Sequence, residues 1–226
     1  MARQKNMKRR RTILRNTFDL LQEDRMQRVS LQKIADKSGI SKSLLQSYYP
    51  HKSKLIIEIV TTYMSTVLNA LSYDEINFNN EFVRMKVFTY IIMQLGAEDE
   101  ATARVLESSI KDQASTAKWL ERLQNWLEQE EVVDKLGGSK AMELGLTFVI
   151  PGTVTLFLKR EELNLDPEQI TDMMIKSYMA TFAGASQSEI KHVLSEGHEI
   201  IKNFDISKIF NLLNHMFDEK EDGKDK

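Results

Sequence analysis

Apolar residues recur every three or four positions along almost the whole chain, and no stretch of four or more alternates cleanly at period two. Such spacing lays an apolar stripe along a helix and cannot build the one-sided face of a strand, so the core has to come from helices. Composition agrees: 9 Gly and 3 Pro among 226 residues leave little material for the turns of a loop-rich β-sandwich. The absence of Cys excludes disulfides, thiolate metal sites and a Cys nucleophile. The fold class expected is all-α.

The periodicity predicts helices over about 8–23, 30–38, 41–47, 52–71, 79–96, 99–113, 115–131, 138–160, 166–185, 187–203 and 205–217. Ser30 and Ser41 are N-caps, and Ser38-Gly39 supplies the left-handed turn between their helices. Asp166-Pro167 is a strong start signal, Ser115 and Asp205 are further caps, and Pro151 is expected to kink its helix. In the first helix Ile13, Leu14, Thr17, Phe18 and Leu21 face inward; in the fourth, Leu55, Ile59, Tyr63, Val67 and Leu71 share a face. Residues 218–226 read as a charged, disordered tail. The basic start, Met1 to Arg11, is not followed by an apolar signal-peptide segment. The longest uncharged run, Leu144 to Leu158, falls short of the ~20 residues of a membrane span. A cytoplasmic protein with no membrane partner is therefore expected.

The net charge of −2 conceals a split. Residues 1–54 hold 14 Lys and Arg against 4 Asp and Glu, a net of +10, and the remainder carries −12. A floppy tail would explain residues 1–11 alone, but the excess continues through well-patterned helices, which favours a polyanionic partner such as nucleic acid.

Residues 30–47 read S-L-Q-K-I-A-D-K-S-G-I-S-K-S-L-L-Q-S, two short capped helices about a Ser-Gly-Ile turn. That is the pattern of a helix-turn-helix, in which Ile34, Ala35, Ile40 and Leu45 pack the pair and the second helix offers polar residues to a major groove. Ser41, Lys42, Ser43, Gln46 and Ser47 stay outward on it. Lys42 can reach a phosphate or a guanine edge, and Gln46 an adenine or a phosphate. Ser30, Gln32, Tyr48 and Lys52 complete the candidate DNA-binding set.

From these motifs, residues ~9–60 resemble the TetR family of transcriptional regulators. The likeness rests on an I-L-x-x-x-F-x-L-L helix, the S-L-Q-K-I-A-D-K-S-G-I-S-K segment and L-L-Q-S-Y-Y-P-H-K-S-K-L-I. Ser30, Ile34, Ala35, Gly39, Ile40, Ser41, Lys42, Leu45, Lys52 and Leu55 match the family pattern, with Tyr49 where a Phe is usual. The resemblance implies DNA contacts at Ser30, Ser41, Lys42 and Lys52. This chain departs from the pattern at Gln46 in place of a Tyr, Arg25 at the turn after the first helix, Asn16-Thr17 for an Ala pair, and His51 for a small cap.

The same resemblance implies a homodimer closed by two long helices late in the chain. The helix with Leu144, Leu146, Phe148, Val149, Val154, Leu156 and Phe157 is apolar nearly all round, and Met173, Ser177, Ala180 and Thr181 belong to its partner. A core helix of a monomer is the alternative. An effector pocket is expected among Phe82, Met85, Phe88, Met93, Trp119, Leu123, Trp126, Phe148 and Phe157, residues that ordinary core packing would explain equally. Glu107 or Glu143 could face a cationic effector.

Catalysis finds no motif. His51, His192, His198 and His215 form no His-Glu-x-x-His, and there is no phosphate loop or Gly-x-Ser-x-Gly elbow. No metal, cofactor or enzymatic activity is expected. The chain divides on this reading into a DNA-binding unit, 1–51, and an effector and dimerisation unit, 52–217: a repressor released from a palindromic operator by a small apolar or amphipathic effector. A helical ligand- or protein-binding module without sequence-specific DNA binding is the alternative.

Overall fold

The structure is a computed structural model that describes residues 2–24, 28–73, 78, 80–100, 102–104, 106, 117–118, 120–121, 123–125, 127 and 133–218. Its helices are α1 (Ala2–Glu23), α2 (Leu31–Lys37), α3 (Lys42–Tyr48), α4 (Lys52–Tyr73), α5 (Glu81–Glu98), α6 (Ser139–Leu158), α7 (Arg160–Leu163), α8 (Pro167–Thr181), α9 (Gln187–Asn203) and α10 (Ser207–Asn214). The described residues within 100–106 and 117–127 are helical as well, and no strand occurs among the described residues. The all-α class is what the structure shows.

α1 begins six residues before the start expected at Lys8, because Ala, Arg, Gln, Lys and Met are good helix formers with no Gly or Pro among them. α9 runs over the segment expected, held by a capping box in which Ser186 and Glu189 satisfy each other's backbone N–H. Asp166 and Gln169 do the same for α8. That helix ends at Thr181, four residues early, where the chain turns back on Tyr178 and Met179. Pro151 does not interrupt α6; it lies on the exposed side, where its missing N–H leaves no buried acceptor. Ser115 and Arg25 lie outside the described residues, as does most of 99–131.

α4 is the spine. Leu55, Ile59, Tyr63 and Val67 are each no more than 1% exposed and belong to one core that also takes in Ile13, Phe18 and Leu45 on one side and Val87, Ile91, Ile175 and Tyr178 on the other. Burying each aliphatic side chain contributes about 1.5–3 kcal/mol relative to leaving it in water. α8 packs on α6 and α5, α9 on α5 and α8, and α10 on α4. Where α6 crosses α8 a Cβ on Gly145 would fall 2.5 Å from the Tyr178 ring, so a side chain there would force the two helices apart.

Two expectations change. α4 and α6 are both long and apolar enough to cross a membrane by length and composition, because α6 starts at Ser139, ahead of the uncharged run. α4 spends its apolar residues on the core, whereas α6 buries Met142, Leu146, Val149 and Phe157 and shows Leu144, Phe148 and Leu158 on its other side. Asp218, read as the first residue of the tail, instead accepts hydrogen bonds from Arg15 and His215; residues 219–226 lie outside the described residues.

Candidate nucleic-acid interface

Ser30 and Ser41 open α2 and α3 as expected: each is extended, and its hydroxyl accepts the backbone N–H three residues on, from Lys33 at 3.1 Å and Leu44 at 3.2 Å. Between them Gly39 takes φ +64°, a conformation any side chain would strain. The N–H of Ile40 then returns to the carbonyl of Ala35 at 3.1 Å, closing α2 with a backbone bond and tucking Ile40 against the core. Ile34, Ala35 and Leu45, all fully buried, fill the angle between the helices.

Leu45 is the one buried residue of α3. Lys42, Ser43, Gln46 and Ser47 are exposed, and Tyr48 is half-buried with Arg9 donating to its hydroxyl at 3.5 Å. Positions 42, 43, 46 and 47 share one face by helical spacing, the face a groove would meet. The hydroxyl of Ser47 is turned back to the carbonyl of Leu44 at 2.7 Å, and that of Ser41 is engaged as a cap, so Lys42 and Gln46 have the longer reach. Gln32 is exposed on α2 and donates to Asp36 at 2.7 Å.

Lys52 is placed differently from a free phosphate contact. Its Nζ donates to the carbonyl of Val29 at 2.9 Å, tying the start of α4 to the entry of α2, and partial burial lowers its pKa. Arg28 and Lys54, which the motif comparison passed over, are exposed on either side of this tie. The head is braced elsewhere by charged pairs. Arg10 donates to Glu58 through Nε at 2.9 Å and Nη2 at 2.8 Å, and the Tyr49 hydroxyl donates to the same carboxylate at 2.9 Å. Those bonds to Glu58 raise the Arg10 pKa, while burial followed by the Glu58 charge raises that of Tyr49. Asn16, one of the departures from the family pattern, donates to the carbonyl of Lys37 at 3.2 Å and so covers the open end of α2. Thr17 beside it is fully buried, its hydroxyl bonded to the carbonyl of Ile13 at 2.7 Å. The substitutions for an Ala pair thus have structural work of their own.

In the body, Phe88, Met93 and Leu123 line a small cavity of about 30 Å³, bounded also by Met64, Ile92 and Val154. Other members of the expected pocket lie elsewhere. Phe82 is buried with its ring centroid 5.6 Å from that of Tyr178, and Met85 is buried off the cavity. Phe157 packs with Met93 and Ile170. Phe148 is 66% exposed, 5.7 Å from the Phe182 ring, because it falls about 200° round α6 from Leu146. Glu143 is exposed beside Lys140; Trp119, Trp126 and Glu107 lie outside the described residues. Among the described residues no three His, Asp or Glu side chains gather as metal ligands.

A capped helix-turn-helix in a basic head, carried on an acidic all-helical body, is consistent with a TetR-like helical fold. The chain is 25% identical over 134 residues to the nucleoid occlusion factor SlmA of Alteromonas mediterranea, a match covering 55% of this chain and 67% of that protein. It is 22% identical over 107 residues to the nucleoid occlusion factor SlmA of Haemophilus ducreyi, covering 47% and 53% respectively. The matched regions thus span about two thirds of one relative and about half of the other. No family model and no solved structure matches the chain.

Proposed function

We propose that the protein is a homodimeric DNA-binding transcriptional regulator of TetR type, a cytoplasmic repressor released from a palindromic operator by a small apolar or amphipathic effector. The observation that carries this reading is α3: it buries Leu45 alone and turns Lys42, Ser43, Gln46 and Ser47 outward in a segment, 1–54, of net charge +10. Lys42 would hold a phosphate or a guanine, Gln46 an adenine, and Ser41, Ser43, Ser47, Tyr48, Ser30 and Gln32 the flanking backbone. Lys52, whose ammonium is tied to the carbonyl of Val29 at the entry of α2, would lie beside the phosphate backbone. Residues 1–51 form the DNA-binding unit in this reading, and 52–217 the effector and dimer unit.

One α3 makes few contacts, and a second copy would double them. The surface that suits a second copy is the outer side of α6 and α8, where Leu144, Phe148 and Met173 are 48%, 66% and 42% exposed. Thr147, Gly152 and Thr155 on α6 and Ser177 and Ala180 on α8 are exposed on the same helices, small enough to let helices approach closely. The cavity beside Phe88, Met93 and Leu123 is the candidate effector site; at its present size an effector would have to open it. An effector favouring a state with misplaced α3 helices lowers operator affinity, with a usual coupling of ~1–3 kcal/mol or roughly 5–150-fold.

The names of the two relatives favour a second reading, in which the same head marks chromosomal DNA as part of nucleoid occlusion. Fluorescence anisotropy on labelled duplexes tests both. Phosphate contacts require log K to fall with log salt by roughly 0.9 per neutralised phosphate. Lys42→Ala and Gln46→Ala should weaken binding, and Gln46→Ala should also flatten the preference among sequences. Duplex binding that ignores salt and both substitutions would end the proposal. Binding sites mapped across the genome distinguish one regulated promoter from many dispersed positions.

A further inference from the structure

Away from α3, three elements converge on a groove of about 560 Å³. α1 contributes Arg11, α4 contributes Ala70, and α10 contributes Lys208, Ile209 and Leu212, with His215 just beyond its end. That volume lies within the roughly 300–1,000 Å³ of small-molecule sites. The apolar part is made by Ala70, Ile209 and Leu212, the last 48% exposed. The polar part sets Arg11 and Lys208 beside the neutral Thr66 and Asn69. Arg11 is half-buried and makes no ion pair or hydrogen bond among the described residues. Among the described residues Asp218 is the one acidic residue lining the groove, and its two oxygens are taken by Arg15 and by His215. A half-buried guanidinium over an apolar wall is costly to leave without an anion, and its planar fork matches a carboxylate.

We propose that this groove, where the first helix of the head, the spine and the C-terminal helix meet, binds an anionic amphiphile: a straight-chain carboxylate whose head pairs with Arg11 and Lys208 and whose tail lies on Ala70, Ile209 and Leu212. Among the described residues no Phe, Tyr or Trp lines the groove, and the imidazole of His215 is held by Asp218, so its wall suits an alkyl chain better than a nucleotide base. The site is separate from the cavity beside Phe88, and the inference does not depend on the DNA-binding reading.

Isothermal titration of the full chain with sodium dodecanoate, below its micelle concentration and without DNA, tests it. The expected result is saturable binding of one dodecanoate per chain. Arg11→Gln and Lys208→Gln should each weaken it by about tenfold, the usual worth of a hydrogen-bonded charge pair. Leu212→Gln should weaken it too, and dodecanol should bind worse than dodecanoate. Circular dichroism of each variant confirms the fold, and Lys208 lies at the surface end of α10, where substitution spares the core. Absence of saturable binding by the wild type overturns the proposal. Equal affinity in all three variants overturns it as well, placing the ligand elsewhere, and so does binding to phosphatidylglycerol vesicles with none to free dodecanoate. DNA affinity measured on the same samples reports on the regulator reading separately.

Discussion

The Nζ of Lys86 on α5 lies 2.9 Å from Oε1 of Glu168 at the start of α8, and the stem that brings it there passes where a Cβ on Gly197 of α9 would stand, 2.5 Å from Cδ. Lys86 is 1% exposed. Its ammonium also donates to the carbonyl of Leu194 at 2.8 Å and sits 2.9 Å from Asp172 Oδ1, an ion pair without hydrogen-bond alignment. One buried charge therefore ties three helices. Lys86→Met should destabilise the protein by about 3 kcal/mol, at the low end for a broken buried pair because Glu168 and Asp172 keep some contact with water. Gly197→Ala, which crowds the same stem, should cost about 1–3 kcal/mol. Urea unfolding measures both; a change within error for Lys86→Met would show the network is not a tie.

The same carboxylate sets an acid limit. Burial alone would raise the Glu168 pKa, but the hydrogen bonds from Lys86 and His198 outweigh it and hold the group below its ordinary 4.5. The unfolded chain binds this proton more readily than the native one, so the contribution of Glu168 is full above its ordinary value and is lost as pH falls through the native one. Glu168→Gln should flatten the decline of the urea midpoint across that acid window. An unchanged slope would assign acid sensitivity to other carboxylates.

Tyr63 is 1% exposed on α4 and its hydroxyl has no hydrogen-bond partner among the described residues. Tyr63→Phe removes a buried oxygen that gains nothing from its surroundings, and should leave stability unchanged or raise it by about 1 kcal/mol. A loss above that size in thermal unfolding would reveal a partner for the hydroxyl.

Gly39→Val forces a β-branched side chain into φ +64°, although the space around it is open. The strain, about 1–2 kcal/mol, falls on the turn that sets α3 against α2. The expected outcome is a lower thermal midpoint and weaker duplex binding together, read by calorimetry and anisotropy on one preparation.

Phe148→Glu puts a charge in the middle of the outer face of α6. If the proposed dimer forms through this face, sedimentation velocity should show a dimeric wild type and a monomeric variant, with the fold unchanged because Phe148 contributes little to the core. A wild type that is already monomeric removes this face from the functional reading.

The local chemistry of the head was legible from residue order. Ser30, Gly39 and Ser41 act through bonds to residues within four or five positions, and so do Ser186 and Glu189 at α9. What order alone did not show is which side of an all-apolar helix faces inward: Leu146 and Phe148 are equally apolar, and only the close approach of Tyr178 to Gly145 decides between them. Nothing in residue order marks Lys86, since Glu168 and Leu194, its partners, are 82 and 108 positions away. Lys52 and Asn16 carried family expectations about a partner or a missing Ala, while their bonds go to carbonyls 23 and 21 residues off. The groove at Arg11 joins the two ends of the described chain, a juxtaposition no periodicity encodes.

The ring of Phe217 meets that of Phe18 edge-on at 6.0 Å, beside the pairing of Arg15 with Asp218, 203 positions apart. Chains fold as they emerge from the ribosome, N-terminal parts first. The first helix of the head can pack on α2 and α4 as soon as they are made, but the edge of Phe18 that meets Phe217 is covered only when the last turn of the body docks. A chain shortened before Phe217 would leave Phe18 less covered, so the last described turn of the body buttresses the first helix of the head.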